Sequence, residues 1–91
     1  MNKNELIARV AEKTGQSKST AADVVEATFN EIEAALKKGD EVRIVGFGNF
    51  VVAKRAASTG RNPRTGESIN IPASKAPKFR PGKALKDAVN S

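Results

Sequence analysis

The chain has 91 residues, enough for one small domain with a modest core. With no Cys and no His, it excludes disulfides, thiol chemistry, zinc sites of the usual kind and imidazole acid–base catalysis. Its net charge is +6 and unevenly spread: residues 1–41 hold six basic and eight acidic side chains, residues 42–91 ten basic and two acidic. A polyanion site is therefore expected in the second half.

At the N-terminus, Met1-Asn2-Lys3-Asn4-Glu5 leads into no apolar run of signal-peptide length, and no segment approaches a membrane span. A reducing cytoplasmic location is expected. Asn2 with Glu5 three residues later forms a capping box, and Leu6, Ile7, Val10 and Ala11 follow as an apolar stripe at helical spacing. Gly15 stops this helix. Ser17 can cap a second one, in which Ala21, Val25, Thr28, Phe29, Ile32 and Leu36 recur at intervals of three and four. Lys37, Lys38 and Gly39 end it with cations at the negative end of the dipole. The two helices form a hairpin, apolar faces together. Asp23, Glu26, Glu31 and Glu33 make the outer surface of the longer helix acidic, so it faces away from any polyanion.

A short strand is predicted from Glu41 to Val45. Gly46-Phe47-Gly48 turns the chain into a second strand, Asn49 to Ala53, where Phe50 and Val52 alternate with Asn49, Val51 and Ala53. This strand runs on without a break into a basic ribbon, Lys54 to Lys75. Arg55, Ala57, Thr59 and Arg61 share one face there, and Ile69, Ile71 and Ala73 share one face of the returning strand. So little apolar surface does not offset the entropy of ordering the ribbon, which is expected to project and to order fully on a partner. Beyond it, Pro72, Pro77 and Pro81 punctuate an irregular return carrying Lys75, Lys78, Phe79 and Arg80, suited to a sheet edge or bulge. Lys83 to Asn90 forms a final short helix with Ala84, Leu85, Ala88 and Val89 on its apolar side.

At the ribbon's centre, Gly60-Arg61-Asn62-Pro63-Arg64-Thr65-Gly66 combines Asn-Pro turn initiation, a proline without an N–H and two glycines. An exposed proline flanked by arginines can wedge between base pairs while guanidinium groups lie in the minor groove. Taken alone, the same residues also make an ordinary hairpin turn with solvated arginines, because motifs this short recur by chance. Phe47, between two glycines at a turn, is hard for its own chain to cover. A two-fold homodimer that buries Phe47, Phe50 and Phe79 against their symmetry mates is the economical arrangement, while Phe29 also fits a plain intrachain core.

The run Gly46-Phe47-Gly48-Asn49-Phe50, then Arg55, then Ser58-Thr59-Gly60-Arg61-Asn62-Pro63-Arg64-Thr65-Gly66 closely resembles the signature of the bacterial HU/integration host factor family of histone-like DNA-binding proteins. The likeness extends from Met1-Asn2-Lys3 to Gly82-Lys83-Ala84-Leu85-Lys86-Asp87-Ala88-Val89. It implies an α+β fold: a helical hairpin base, a three-stranded antiparallel sheet with a protruding β-ribbon arm, and a short C-terminal helix, assembled as an intertwined dimer. The single domain 1–91 would divide into a body, 1–53 and 76–91, and an arm, 54–75. By resemblance, Pro63 inserts at a base step and Arg61, Asn62 and Arg64 line the groove. Lys54, Arg55, Ser58, Ile69 and Ile71 complete the arm's DNA-binding set, and Lys75, Lys78, Arg80, Lys83 and Lys86 contact phosphates from the body side. HU proteins commonly carry arginine at position 58; Ser58 here leaves open how much phosphate contact the middle of the arm makes.

Lys3 and Lys83 sit in the first turns of predicted helices, where a cation is unfavourable unless an anion is also present, so both are candidate phosphate contacts; Lys18 breaks the same rule. No helix carries an Arg/Asn/Gln face suited to the major groove, and the minor groove offers a degenerate code. The expected function is nucleoid compaction by wrapping and bending of double-stranded DNA without sequence specificity, favouring bent, nicked or gapped sites; binding of RNA stays open. No cofactor, metal, membrane or small-molecule substrate is expected. Two other readings share some of these features: a sequence-preferring integration host factor-like subunit, and a peripheral anionic-membrane binder. The second would need a basic amphipathic helix, whereas the basic segment here is extended and broken by proline. An enzyme is disfavoured, since the glycines spell no phosphate loop and no histidine base serves Ser or Thr.

Overall fold

The computed structural model describes residues 1–91. The chain divides into two compact units, Met1–Ala34 and Ala35–Ser91.

Local capping sets the helices of the first unit. Helix α1 spans Lys3–Thr14, and the Asn2 side chain caps it by accepting from the Glu5 N–H at 2.8 Å. Gly15 ends it in the left-handed region, φ 67°, its N–H returning to the Ala11 carbonyl. Helix α2, Lys18–Lys37, starts where Ser17 Oγ accepts from the Thr20 N–H at 3.1 Å. It ends where the N–H groups of Lys38, Gly39 and Asp40 return to the carbonyls of Ala35 and Leu36. Ile7 and Ala11 of α1 meet Ala21 and Val25 of α2 in the core, with Leu6, Val10 and Ala22 packed around them.

The stripe expected along α2 splits. Ala21 and Val25 are buried and Ile32 and Leu36 half-buried, but Thr28 is exposed and Phe29 is 49% exposed. Phe29 is thus no core residue of the single chain. The 12 residues of α1 are too few to cover the 20 of α2.

In the second unit, β1 (Val42–Ile44), β2 (Gly48–Arg55) and β5 (Ser74–Pro81) form an antiparallel sheet in the order β1-β2-β5. β3 (Ser58–Arg61) and β4 (Ser68–Ile71) form a separate antiparallel ladder, the extended arm. Helix α3 follows at Lys83–Val89, with Leu85 half-buried and Ala84, Ala88 and Val89 exposed. No helix is long and apolar enough to cross a membrane.

Two expectations need correction. The return after the arm is not irregular: β5 is a regular strand of 8 residues paired with β2 from Arg55↔Ser74 to Gly48↔Pro81. It tolerates proline because it is an edge, and Pro77 and Pro81, four apart, turn their missing N–H groups to the same unpaired side.

The passage from sheet to arm is also broken, at Ala56–Ala57 opposite Pro72–Ala73. The register continues across the gap, but the hydrogen-bonding phase does not. Gly82 N–H donates to Phe47 O on one side of the gap and Asn62 N–H to Glu67 O on the other, bonds that belong to opposite phases of one register. Continuing the first phase would require an N–H from Pro72, and proline has none.

Of the two alternating faces of β2, the one with Val51 is the more deeply covered, Val51 being 6% exposed. Phe50 packs against Phe79, its partner across the ladder, with ring centroids 4.9 Å apart and the rings tilted by 44°.

Candidate nucleic-acid interface

The tip of the arm is built by Asn62. Its N–H donates to the Glu67 carbonyl and its carbonyl accepts from the Gly66 N–H, both at 2.8 Å. Its side-chain Oδ1 accepts from the Arg64 N–H at 2.9 Å, an Asx-turn that spans Pro63. Gly66 closes the loop at φ 72°, a conformation side chains resist. Thr65 adds a brace missed in sequence, its Oγ1 accepting from the Glu67 N–H at 3.3 Å; the readiness of Ser and Thr to make such turns was the available signal. The result is an exposed Pro63 between exposed Arg61 and Arg64.

Below the tip, Gly60 pairs with Ile69 and Ser58 with Ile71, so the isoleucines share a face with Ser58 and Gly60. Gly60 makes room for Ile71: a Cβ there would lie 3.2 Å from Ile71 Cδ1. Arg61 and Thr59 point the other way, opposite Ser68 and Asn70. The arm therefore has an apolar face and a polar one. Both isoleucines remain exposed, and β4 has no buried residue.

At the root of the arm Lys54 pairs with Lys75, and Arg55 with Ser74. On β5, Lys78 and Arg80 lie on the face of Val51 and Asn49, opposite to Phe79. Lys83 and Lys86 occupy α3 and are exposed.

Residues 54–86 thus carry nine basic side chains against one acid, Glu67. The ion pairs lie elsewhere, Lys3 with Glu26 at 2.9 Å and Arg43 with Glu41 at 3.2 Å. The nine cations are left to solvent or to a partner. Lys3 is different, because Glu26 already supplies the anion its position in α1 calls for, so the dipole argument no longer asks for a phosphate there.

Comparison with known proteins agrees with this layout. A family model described as bacterial DNA-binding protein matches residues 1–90. The chain is 62% identical over 89 residues to the DNA-binding protein HU of Geobacillus stearothermophilus, covering 98% of this chain and 99% of the relative. It is 58% identical over 90 residues to the DNA-binding protein HRm of Rhizobium meliloti, covering 99% and 100%. Among solved structures, the Anabaena HU–DNA cocrystal structure superposes with a TM-score of 0.86 at 44% identity, covering 98% of this chain and 97% of that one. HU from Thermotoga maritima gives 0.69 at 38% identity, with 98% of each covered. With a family model matching nearly the whole chain and relatives alike in sequence and in fold, the chain belongs to the bacterial DNA-binding protein family, among the HU proteins.

Proposed function

We infer that the protein is an architectural DNA-binding protein that wraps and bends duplex DNA through the minor groove without reading its sequence. The observation that carries this is the braced tip, where Asn62 holds Pro63 out between Arg61 and Arg64. A rigid ring at the end of a ribbon enters a base step as a wedge, and the two guanidinium groups meet the negative potential of the groove. Unstacking costs a few kcal/mol per step, which the extra surface gathered by bent DNA offsets. DNA that is already bent, nicked or gapped needs less deformation and is bound preferentially. Lys54, Arg55, Ser58, Ile69 and Ile71 belong to the arm's contact surface, with Lys75, Lys78, Arg80, Lys83 and Lys86 taking phosphates nearer the body. Arm and body divide at 54 and 75 in this reading. Lys3 is the weakest member, since it must first leave Glu26.

The active form is a homodimer. A single chain leaves Val45 100% exposed and Phe47 44%, with Phe29, Phe79 and Val89 also open to water, more apolar surface than a small monomer keeps. The relatives' HU names support the HU reading over that of a sequence-preferring subunit of the integration host factor kind. Its place is the cytoplasm, on the nucleoid.

The test is end-to-end fluorescence transfer on a doubly labelled duplex of about thirty base pairs, well inside the DNA persistence length. Wild type is expected to shorten the end-to-end distance and Pro63→Ala to bind without doing so. If both bind and neither bends the duplex, the arm is an electrostatic clamp and the wedge mechanism is wrong.

A further inference from the structure

Glu67 is the one acid set among the nine basic side chains of residues 54–86, and it stands at the tip of the arm. It is exposed and joins no ion pair of the chain, which link Lys3 to Glu26 and Arg43 to Glu41. Neither Arg61 nor Arg64, its neighbours around the turn, neutralises it.

The main chain of Glu67 is held on both sides. Its carbonyl accepts from the Asn62 N–H at 2.8 Å, and its N–H donates to Thr65 Oγ1 at 3.3 Å. The first of these bonds continues the arm's register one rung beyond Arg61↔Ser68. Side chains alternate along a strand and Glu67 comes two residues before Ile69, so it leaves the ribbon on the side of Ile69 and Ile71, away from Arg61. An acceptor is thus built into the apolar face of the arm. A carboxylate only accepts hydrogen bonds. In the minor groove an A·T pair offers acceptors alone, whereas a G·C pair adds the guanine 2-amino donor. The narrow grooves of A-tracts also hold the stronger negative potential, which draws arginine in and pushes a carboxylate out.

We propose that Glu67 is a specificity-determining residue that levels the base composition the arm accepts. Its carboxylate is repelled over A·T pairs and accepts from the guanine 2-amino group over G·C pairs, offsetting the pull of Arg61 and Arg64 toward A·T. This role rests on the minor-groove reading above, and it accounts for indifference to sequence in a tip that carries two guanidinium groups.

The test is anisotropy titration of wild type and Glu67→Gln, at one salt concentration, on three duplexes of equal length: A·T-rich, G·C-rich, and the G·C-rich sequence with inosine in place of guanine. Inosine lacks the 2-amino group and keeps the major-groove edge. Glutamine keeps the shape, loses the charge and adds a donor for the A·T acceptors. Both bonds that hold residue 67 use its main chain, so the variant keeps the tip, which unchanged amide exchange at Arg64 and Gly66 verifies. The quantity read is the gain in affinity from wild type to variant on each duplex, in which the shared contributions of Arg61 and Arg64 cancel. The gain is expected to be several-fold larger on the A·T and inosine duplexes than on the G·C duplex. Equal gains on all three, no gain on any, or an inosine duplex that behaves as its guanine parent overturn the proposal. Any of these beside a wild type that bends the duplex leaves the bending reading intact. The expected inequality in a protein that bends no duplex upholds Glu67 in the groove and removes the wedge.

Discussion

The ring of Phe79 fills the space that a side chain on Gly48 would need: a Cβ at position 48 would lie 2.7 Å from Phe79 Cζ and 2.6 Å from the Arg80 carbonyl oxygen. That close approach lets Phe79 reach both Phe47, with centroids 5.3 Å apart, and Phe50 at 4.9 Å. The carbonyl belongs to a paired strand and cannot retreat cheaply. Gly48→Ala is therefore expected to cost about 1–3 kcal/mol through overpacking. Urea unfolding should show a lower midpoint with an unchanged slope, since the same surface is exposed.

Asn62→Ala removes the acceptor of the Arg64 N–H while leaving both backbone bonds of the tip in place. The expected loss is about 0.5–1.5 kcal/mol of local order, with little change in global stability. Amide exchange at Arg64 and Gly66 should quicken while exchange in β2 stays as it was. Bending should fall more than affinity, because phosphate contacts do not depend on how firmly Pro63 is held.

Affinity for duplex DNA should fall roughly a thousandfold or more between 50 and 200 mM salt if six to ten phosphates are contacted. Lys78→Ala and Arg80→Ala should each lower the slope of log affinity against log salt by about 1, equally on unrelated sequences. Anisotropy titrations at four salt concentrations would measure this. A nearly flat salt response would remove the electrostatic footprint altogether.

Because Phe47, Phe79 and Val45 are exposed in the single chain, thermal stability should depend on protein concentration. Calorimetry over a hundredfold dilution should show Tm falling, and sedimentation should show two copies. Phe79→Ala, which removes both ring contacts, should cost about 3 kcal/mol and shift the protein toward single chains at a given concentration.

What could be read from the sequence was what is decided locally. Asn2, Gly15, Ser17 and Gly39 bound the first two helices because caps and stops act within a turn of their own residue. The Asn62-Pro63 turn was legible for the same reason. The regularity of β5 was not, because proline breaks a central strand and suits an edge, and which of these a strand becomes depends on its neighbours. The break at Ala56–Ala57 had a signal in Pro72, but its meaning needed the register that places Pro72 where an N–H is required. The Lys3–Glu26 ion pair joins two helices, and helical periodicity within either one says nothing of it.

The prolines of β5 have a consequence for the protein in a crowded cell. An eight-residue edge strand is a template on which another chain can zip, and a protein that gathers along a polymer meets its own copies at high local concentration. Pro77 and Pro81 strip donors from the outward side of that edge, and Lys75 and Lys78 add like charge beside it. A second β5 arriving there finds carbonyls, missing partners and repulsion. The strand that bears Lys75, Lys78 and Arg80 is thereby a poor template for a second copy of itself.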